Sequence, residues 1–368
     1  VNHQHPERLP VNITKRGSLV AAVAVPALAV VMTLGACARA DTPASGTAPA
    51  ANQGAASELR LGYFPNVTHA AALIGVDKGF FTKELGSTKL TTQTFNAGPD
   101  EVSALLGGSL DAAFIGSGPA INAFSKSGGS AVRLVAGATS GGAELVVKPG
   151  IRTPSDLVGK TIATPQLGNT QDVSLKAWLA HNNLTGKVTV DNVANSEVLG
   201  EFQNGDIQGA WDPEPYASQL VLTGGATVLV DESTLWPGGK FPTTVLTVRT
   251  AFLQQHPATV QALIKGEVDA VNYEAADKAG AEAAVNDQLK QLTGKALRQP
   301  VLDRAFSKIT LTVDPLASDF PQLTKDQVTA KIAKTAPGLT GFADLSALNT
   351  VLKAAGRPAV DAGSLGGN

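Results

Sequence analysis

From Leu59 to Arg249 the chain spells short apolar runs, each followed by a polar turn and a helical pattern. LRLGYF (59–64), KLTTQTFNA (89–97), AAFIG (112–116) and VRLVAGA (132–138) read as strands. Between them lie one helical run opened by Asn66 and Thr68, one carrying Val102, Leu105 and Leu106, and one opened by Ser117-Gly118-Pro119. Such alternation restricts the chain to an α/β fold with a mainly parallel sheet, because parallel neighbours need a crossover between them.

The pattern restarts after Gly141-Gly142, with AELVVKPG, TIATP (161–165), KVTVDNV (187–193), GAWD (209–212), ATVLV (226–230) and TTVLTVR (243–249) as strands. Thr153 and Pro154 suit the N-cap and first position of a helix, and Asn169-Thr170-Gln171-Asp172 opens another that contains Leu175 and Trp178. From Ala251 onward Val260, Leu263, Ile264, Val268 and Val271 recur at helical spacing. The expectation is two lobes, with residues 59–140 and 249–368 forming lobe I, including a helical C-terminal section, and residues 141–248 forming lobe II. Crossings near 138–144 and 241–248 would lie side by side as a hinge, and the groove between lobes is a natural ligand site.

Residues 1–36 are set aside as a targeting segment. Arg8, Lys15 and Arg16 precede an apolar run from Leu19 to Met32, and Leu34-Gly35-Ala36 leads directly into Cys37, the only cysteine. This is the shape of a bacterial lipoprotein signal, with Cys37 as the lipidated residue. A secretory peptide or a single membrane anchor are the alternatives, but the run falls short of the roughly 20 residues a span requires. Residues 37–58, small, polar and Pro-containing, read as a flexible tether. The folded body is then expected on the outer face of a bacterial cytoplasmic membrane, with a lipid as its one membrane contact.

A net charge of −2 leaves no basic field for nucleic acid. One cysteine excludes an intrachain disulfide framework and a Cys-based zinc site, and five histidines, two of them in the first five residues, give little for a His-rich metal centre. Neither metal nor cofactor is expected. The chain has no nucleophile elbow, HExxH, Walker A loop or dinucleotide fingerprint after a strand, so no enzyme class is signalled.

Four blocks in register carry a resemblance. The first joins Leu59-Arg60-Leu61-Gly62-Tyr63 to Val76-Asp77-Lys78-Gly79-Phe80-Phe81. FNAGPDEVSALLGGSLDAAFIGSGPA (95–120), SDLVGKTIATP (155–165) and GDIQGAWDPEPYAS (205–218) follow. Together they resemble periplasmic-type solute-binding proteins of ABC importers, in the sulfonate/nitrate/taurine branch. The resemblance implies a two-lobe, type II periplasmic-binding-protein-like fold that closes on a ligand without transforming it. It also implies a monomer that works with a membrane permease and its ATPase. TPQLGNTQD (164–172) looks closest to members for aliphatic sulfonates. Taurine, nitrate, a sulfate ester or a thiamine-precursor pyrimidine are alternative ligands. Pyrimidine-synthesising relatives of the fold use a cysteine- and histidine-rich site that is missing here.

In open α/β sheets ligands sit beyond the carboxyl ends of strands, where helix N-termini offer unpaired N–H groups. Four such ends occur here, at Asn66–His69, Gly116–Pro119, Gly168–Asp172 and Asp212–Tyr216. The expected ligand-binding residues are Asn66, Thr68, His69, Gly116, Ser117, Gly118, Asn169, Thr170, Gln171, Trp211, Asp212 and Glu214. Hydroxyls and amides would donate to an oxyanion, and Trp211 with Tyr216 would cover an apolar tail. Asn66, Ser117 and Asn169 equally suit plain capping, and Gly116, Gly118 and Gly168 tight turns. Trp178 reads as core. Asp172, Asp212 and Glu214 would favour a ligand with an amine if they face the cleft.

Overall fold

The computed structural model describes residues 51–367. The expected signal segment and Cys37 lie outside the described residues. Eleven strands among the described residues form two sheets. The first-half strands are β1 (Glu58–Tyr63), β2 (Lys89–Thr94), β3 (Ala112–Gly116) and β4 (Val132–Gly141). β5 (Ala143–Val147), β6 (Thr161–Thr164), β7 (Thr189–Asn192), β8 (Gly209–Pro213) and β9 (Thr227–Asp231) follow, and then β10 (Pro242–Arg249) and β11 (Ile309–Leu311). The sheet orders are β11-β4-β10-β3-β1-β2 and β7-β6-β8-β5-β9.

These orders correct the expectation of a mainly parallel sheet. β1 is parallel to β2 and β3, and β6 to β7 and β8, but β10 runs antiparallel to β3 and β4, and β5 antiparallel to β8 and β9. β5 and β10 are the strands that bring the chain from one sheet to the other. A strand entering from the opposite lobe arrives at the carboxyl edge and must run against its neighbours. Without β5, β10 and the edge strand β11, each sheet keeps one order, second-first-third-fourth. The two-lobe α/β fold is thus one plan used twice, joined by the strands that break its polarity.

Sheet membership also moves the expected boundary at residue 248. β10 pairs along its length with β3 and β4, so Pro242–Arg249 belongs to the first sheet. The apolar run 243–249 says only that it is a buried strand, not which sheet takes it. Gly141 and Gly142 carry the outward crossing with φ of 74° and 81°. A Cβ on Gly142 would come within 2.4 Å of Ile309 Cγ2. The two crossings are stitched together, since Gly141 N–H donates to the Phe241 carbonyl and Thr243 Oγ1–H to that of Gly141.

Helices α1 (Ala70–Asp77), α2 (Phe80–Leu85), α3 (Gly98–Gly107) and α4 (Ser117–Lys126) surround the first sheet. α5 (Thr170–His181), α6 (Val198–Asn204) and α7 (Tyr216–Leu222) belong to the second. The C-terminal section is helical as expected, with α8 (Thr250–Gln255), α9 (Pro257–Ala276), α10 (Lys278–Thr293), α11 (Gln299–Lys308), α12 (Phe320–Thr329) and α13 (Ser346–Ala354). It is not confined to lobe I. α9 and α10 pack on α1, but α11 packs on α7, and α12 lies on both α4 and α5. The tether is also shorter than expected. Gln53 N–H donates to the Gln255 carbonyl and Ala56 N–H to Thr259 Oγ1, which fixes this stretch to α8 and α9.

Side-chain alternation along β5 shows why lobe II holds. Leu145 and Val147 enter one apolar cluster with Trp178 and Trp211, while Val146 enters another with Phe202 and Leu220 on the opposite face. A strand buried on both faces must be apolar throughout, and AELVV departs from that only at Glu144.

Candidate functional site

In both sheets the strand order reverses at the first strand, and the helices that follow β1, β3, β6 and β8 start at the carboxyl ends there. This is the switch-point crevice. Two adjoining cavities occupy it, an inner one of about 30 Å³ and an outer one of about 290 Å³. Phe64, Asn66, Asn96, Pro165 and Asn195 line both. Lobe I contributes Asn66, Thr68, His69, Gly116 and Thr244 to the inner cavity, and lobe II contributes Asn169, Thr170 and Gln171. Seven of the twelve expected residues therefore meet at one place.

Their hydrogen bonds decide what this cavity accepts. Thr68 Oγ1–H donates to Asn66 Oδ1 at 2.9 Å, which leaves the Asn66 Nδ2 hydrogens free. Gly98 N–H donates to Asn169 Oδ1 at 2.9 Å, so Asn169 also presents Nδ2. Gly118 N–H donates to Thr170 Oγ1 at 3.3 Å, and the Thr170 hydroxyl keeps its proton to give. Phe64 N–H donates to His69 Nδ1 at 3.2 Å, which places the ring proton on Nε2. Thr244 Oγ1 is buried and has no partner among the described residues. In four of these six side chains, Asn66, His69, Asn169 and Thr170, the acceptor is occupied and the donor is open, whereas Thr68 spends its donor on Asn66.

His69 is neutral. It is 2% exposed and stacks on Phe64 at 4.5 Å, and burial pushes its pKa down to about 3. No Lys, Arg, Asp or Glu lines either cavity. The lining is a set of neutral donors beside the first turn of α5, whose leading N–H groups have no intrahelical acceptor. Asn66 and Asn169 stand at N-cap positions, but neither side chain accepts a backbone N–H of the turn it precedes.

The Gly98–Asn169 and Gly118–Thr170 bonds join lobe I to lobe II. They require close backbone approach. A Cβ on Gly116 would lie 2.5 Å from Thr170 Oγ1, and one on Gly98 would lie 2.8 Å from Asn169 Oδ1. Gly116 has φ −61°, so it serves proximity, whereas Gly168, with φ 82°, serves its turn.

Five expected residues lie elsewhere. Ser117 and Gly118 sit behind the cavity wall, and the buried Ser117 Oγ has no partner among the described residues. Trp211 is fully buried and packs edge-on to Trp178 at 6.2 Å, because at β8 its side chain faces the apolar cluster inside the lobe. Asp212 is 1% exposed and Glu214 fully buried, the latter held by Arg304 and by Ser218 N–H. Asp172 accepts from Gly168 N–H and Lys176 and anchors the 165–169 loop from below. None of these carboxylates lines either cavity. Of the aromatic pair expected over an apolar tail, Tyr216 alone lines the outer cavity, beside Phe64 and Phe95.

Sequence reasoning passed over Thr244, Asn96 and the 192–196 loop. Thr244 was placed with the wrong lobe. Asn192-Val193-Ala194-Asn195-Ser196 follows β7 at a carboxyl end, the same signal that marks the other four starts.

Burial pushes the Asp212 carboxyl up to about 8, with nearby Glu214 adding to the effect. A raised folded-state pKa means stability that is full below the unfolded value near 4 and is lost as pH climbs towards 8. Asp212→Asn is expected to remove that term. Its melting temperature should fall by several degrees less than that of the parent chain between pH 5 and 8. Parallel pH profiles would refute the assignment of a neutral Asp212.

Comparison with known proteins adds an independent line. The model of the NMT1-like family matches residues 52–286. The taurine-binding periplasmic protein of Escherichia coli K12 is 34% identical over 191 residues, 52% of this chain and 58% of that protein. A putative aliphatic sulfonates-binding protein of Bacillus subtilis 168 is 28% identical over 217 residues, 56% of this chain and 62% of that protein. The match thus spans less than two thirds of either relative. Among solved structures, the alkanesulfonate-binding protein SsuA of Xanthomonas axonopodis pv. citri bound to MOPS superposes with a TM-score of 0.62 at 24% identity. That match covers 76% of this chain and 94% of that one, a likeness that bears on the fold.

Proposed function

The chain belongs to the NMT1-like family, and on that premise we propose that it is the extracytoplasmic solute-binding component of an ABC importer whose ligand is a small organic sulfonate. One observation carries the reading. Four neutral side chains of the inner cavity, Asn66, His69, Asn169 and Thr170, have their acceptors occupied and their donors open. A tetrahedral oxyanion is the complement of such a lining. Hydrogen bonds to a charged acceptor are worth about 1.5–3 kcal/mol each, so several neutral donors suffice for capture without a fixed cation that would oppose release. The outer cavity, with Phe64, Phe95 and Tyr216, suits the carbon chain beyond the sulfonate. That division favours an organic anion over nitrate.

The names of the two relatives support the same class of ligand, and that of the Escherichia coli relative supports a location outside the cytoplasmic membrane. The 34% identical taurine-binding relative also favours a second reading, a ligand that carries an ammonium group. Asn195 Oδ1 is buried, has no partner among the described residues and belongs to the lining of both cavities, so it is a neutral acceptor where an amine would reach. Under both readings the protein acts by closure and delivery to a permease with its ATPase, as a non-catalytic, lipid-anchored monomer.

A panel of ethanesulfonate, taurine, methyl sulfate and nitrate, followed by thermal unfolding, tests this. A ligand held at 100 times its Kd adds about 2.7 kcal/mol to the stability of the folded state. Ethanesulfonate or taurine should raise the melting temperature well above nitrate and be recovered chemically unchanged. No shift with any sulfonate, or release of sulfite, would overturn the proposal.

A further inference from the structure

Three contacts run from lobe I to the start of α5, and they end on consecutive residues. Asn122 Nδ2 approaches the Gly168 carbonyl at 3.5 Å, Gly98 N–H donates to Asn169 Oδ1, and Gly118 N–H donates to Thr170 Oγ1. The same stretch presents Asn169 and Thr170 to the inner cavity and Pro165 and Gln166 to the outer one. How residues 165–170 are held therefore sets both what a ligand meets and how the lobes meet.

One carboxylate ties this stretch down. Asp172 is fully buried. Its Oδ2 accepts Gly168 N–H at 2.9 Å, and its Oδ1 accepts Thr164 Oγ1–H and Asn192 Nδ2–H, each at 3.2 Å. Asn192 Nδ2 also donates to the Pro165 carbonyl at 2.6 Å. The ends of β6 and β7 and the far side of the loop thus close on a single side chain. Lys176, one turn further along α5, lies 2.8 Å from Oδ1 and compensates the charge. The spacing shows what is unusual here. With Asn169 at the N-cap, Asp172 is the third helical residue, where an acidic side chain ordinarily reaches back to the N-cap N–H while the N-cap side chain accepts from the third residue. Neither half of that arrangement forms. The Asn169 side chain has turned across the cleft to Gly98, and Asp172 reaches one residue further back, to Gly168.

We propose that Asp172 is a positioning residue for the ligand site, a role that rests on the sulfonate reading. It touches no ligand, but it fixes residues 165–170 so that Asn169 and Thr170 face the anion and the opposite lobe. The sign of its effect separates positioning from charge. A buried carboxylate that acted only through its field would oppose an anion, and its removal would tighten binding. A carboxylate that holds the loop weakens binding when it is removed.

Two measurements on the full chain test this. Calorimetric titration with ethanesulfonate, well below the melting temperature, should show affinity falling about tenfold for Asp172→Asn and further for Asp172→Ala. The Asn variant keeps an acceptor for Gly168 N–H but loses the one that faces Thr164 and Asn192. Unchanged or tighter binding by Asp172→Ala would overturn the proposal. In the ligand-free protein, amide exchange read by NMR should rise about tenfold or more at Gly168 and Asn169 in Asp172→Ala and stay as in the parent from Leu175 to Leu179. Unaltered exchange at Gly168, or a rise along the whole of α5, would overturn it too, the latter by marking a structural role alone. A parent chain that binds no sulfonate would instead sink the proposed function, and the exchange rates would still decide whether Asp172 holds the loop. Should Asp172→Ala lose cooperative melting, Thr164→Val decides. Thr164 lines neither cavity, and the change removes one donor to Asp172 at nearly constant volume. It is expected to weaken ethanesulfonate binding about threefold and to speed exchange at Gly168, and no change in either would overturn the proposal.

Discussion

Replacing Asn169 by Asp is expected to weaken the binding of a small sulfonate by about a hundredfold or more. The substitution is close to isosteric, and it keeps the oxygen that accepts Gly98 N–H across the cleft. What changes is the other arm. An Nδ2 donor becomes a carboxylate oxygen in a cavity lined by no cation that would offset it. The ligand then loses one charge-assisted hydrogen bond and gains a like charge at contact distance. The lobe-to-lobe latch survives, so loss of affinity cannot be ascribed to failure of closure. Calorimetric titration with ethanesulfonate is the measurement, with Asn169→Ser as a control that removes the amide without adding charge. A change of less than fivefold for Asn169→Asp would show that the anion does not sit against α5, and the proposed function would lose its site. A hundredfold loss for Asp with a much smaller loss for Ser would identify charge exclusion as the cause.

The pattern of strands and helices was legible because buried strands must be apolar and helix starts favour Asn, Ser, Thr and Pro. Seven cleft residues were legible for the same reason, since the carboxyl ends of strands are marked by their turns. Strand polarity was not. An apolar run such as Thr243–Arg249 carries no mark of the sheet it joins, and pairing across more than a hundred residues is decided by tertiary packing. Asp212 was misplaced because it lies within β8 and not beyond its end, and both faces of that strand are covered inside the lobe, so Trp211 and Asp212 are both buried there. The C-terminal section hid its double allegiance because helical periodicity shows that a face is buried but not against which partner. Polar signals for that partner were present as Arg304 and Lys308, two cations on an otherwise amphipathic helix, but their acceptors are distant in sequence.

Those two cations hold the second large expectation. Arg304 Nη2 donates to Glu144 at 2.6 Å, while its Nη1 donates to Glu214 at 3.0 Å and to Ser218 Oγ at 2.9 Å. Lys308 pairs with Glu144 at 2.8 Å and Asp231 at 3.2 Å. Glu144 and Glu214 are fully buried, so Arg304 is what makes their charge tolerable. Arg304→Met is expected to cost about 3–5 kcal/mol of folding stability, the usual result of leaving buried charges without their partner. Glu214 retains a pKa raised to about 7 by burial even beside Arg304. The variant should therefore be less impaired at pH 5, where that carboxyl is protonated, than at pH 8. Adding Glu144→Gln and Glu214→Gln to Arg304→Met removes the stranded charges and should recover most of the loss, because an ion pair replaced as a unit is often close to neutral. Chemical denaturation at the two pH values reads all three outcomes, and a loss under 1 kcal/mol at pH 8 would refute the network. The position gives the result a mechanical meaning. Arg304 and Lys308 fasten α11 to lobe II, and the next residue, Ile309, begins β11 in the sheet of lobe I. Lys308–Ile309 is thus a third crossing beside the two between the sheets, and any rotation that opens the cleft must carry α11 with lobe II while β11 stays paired to β4.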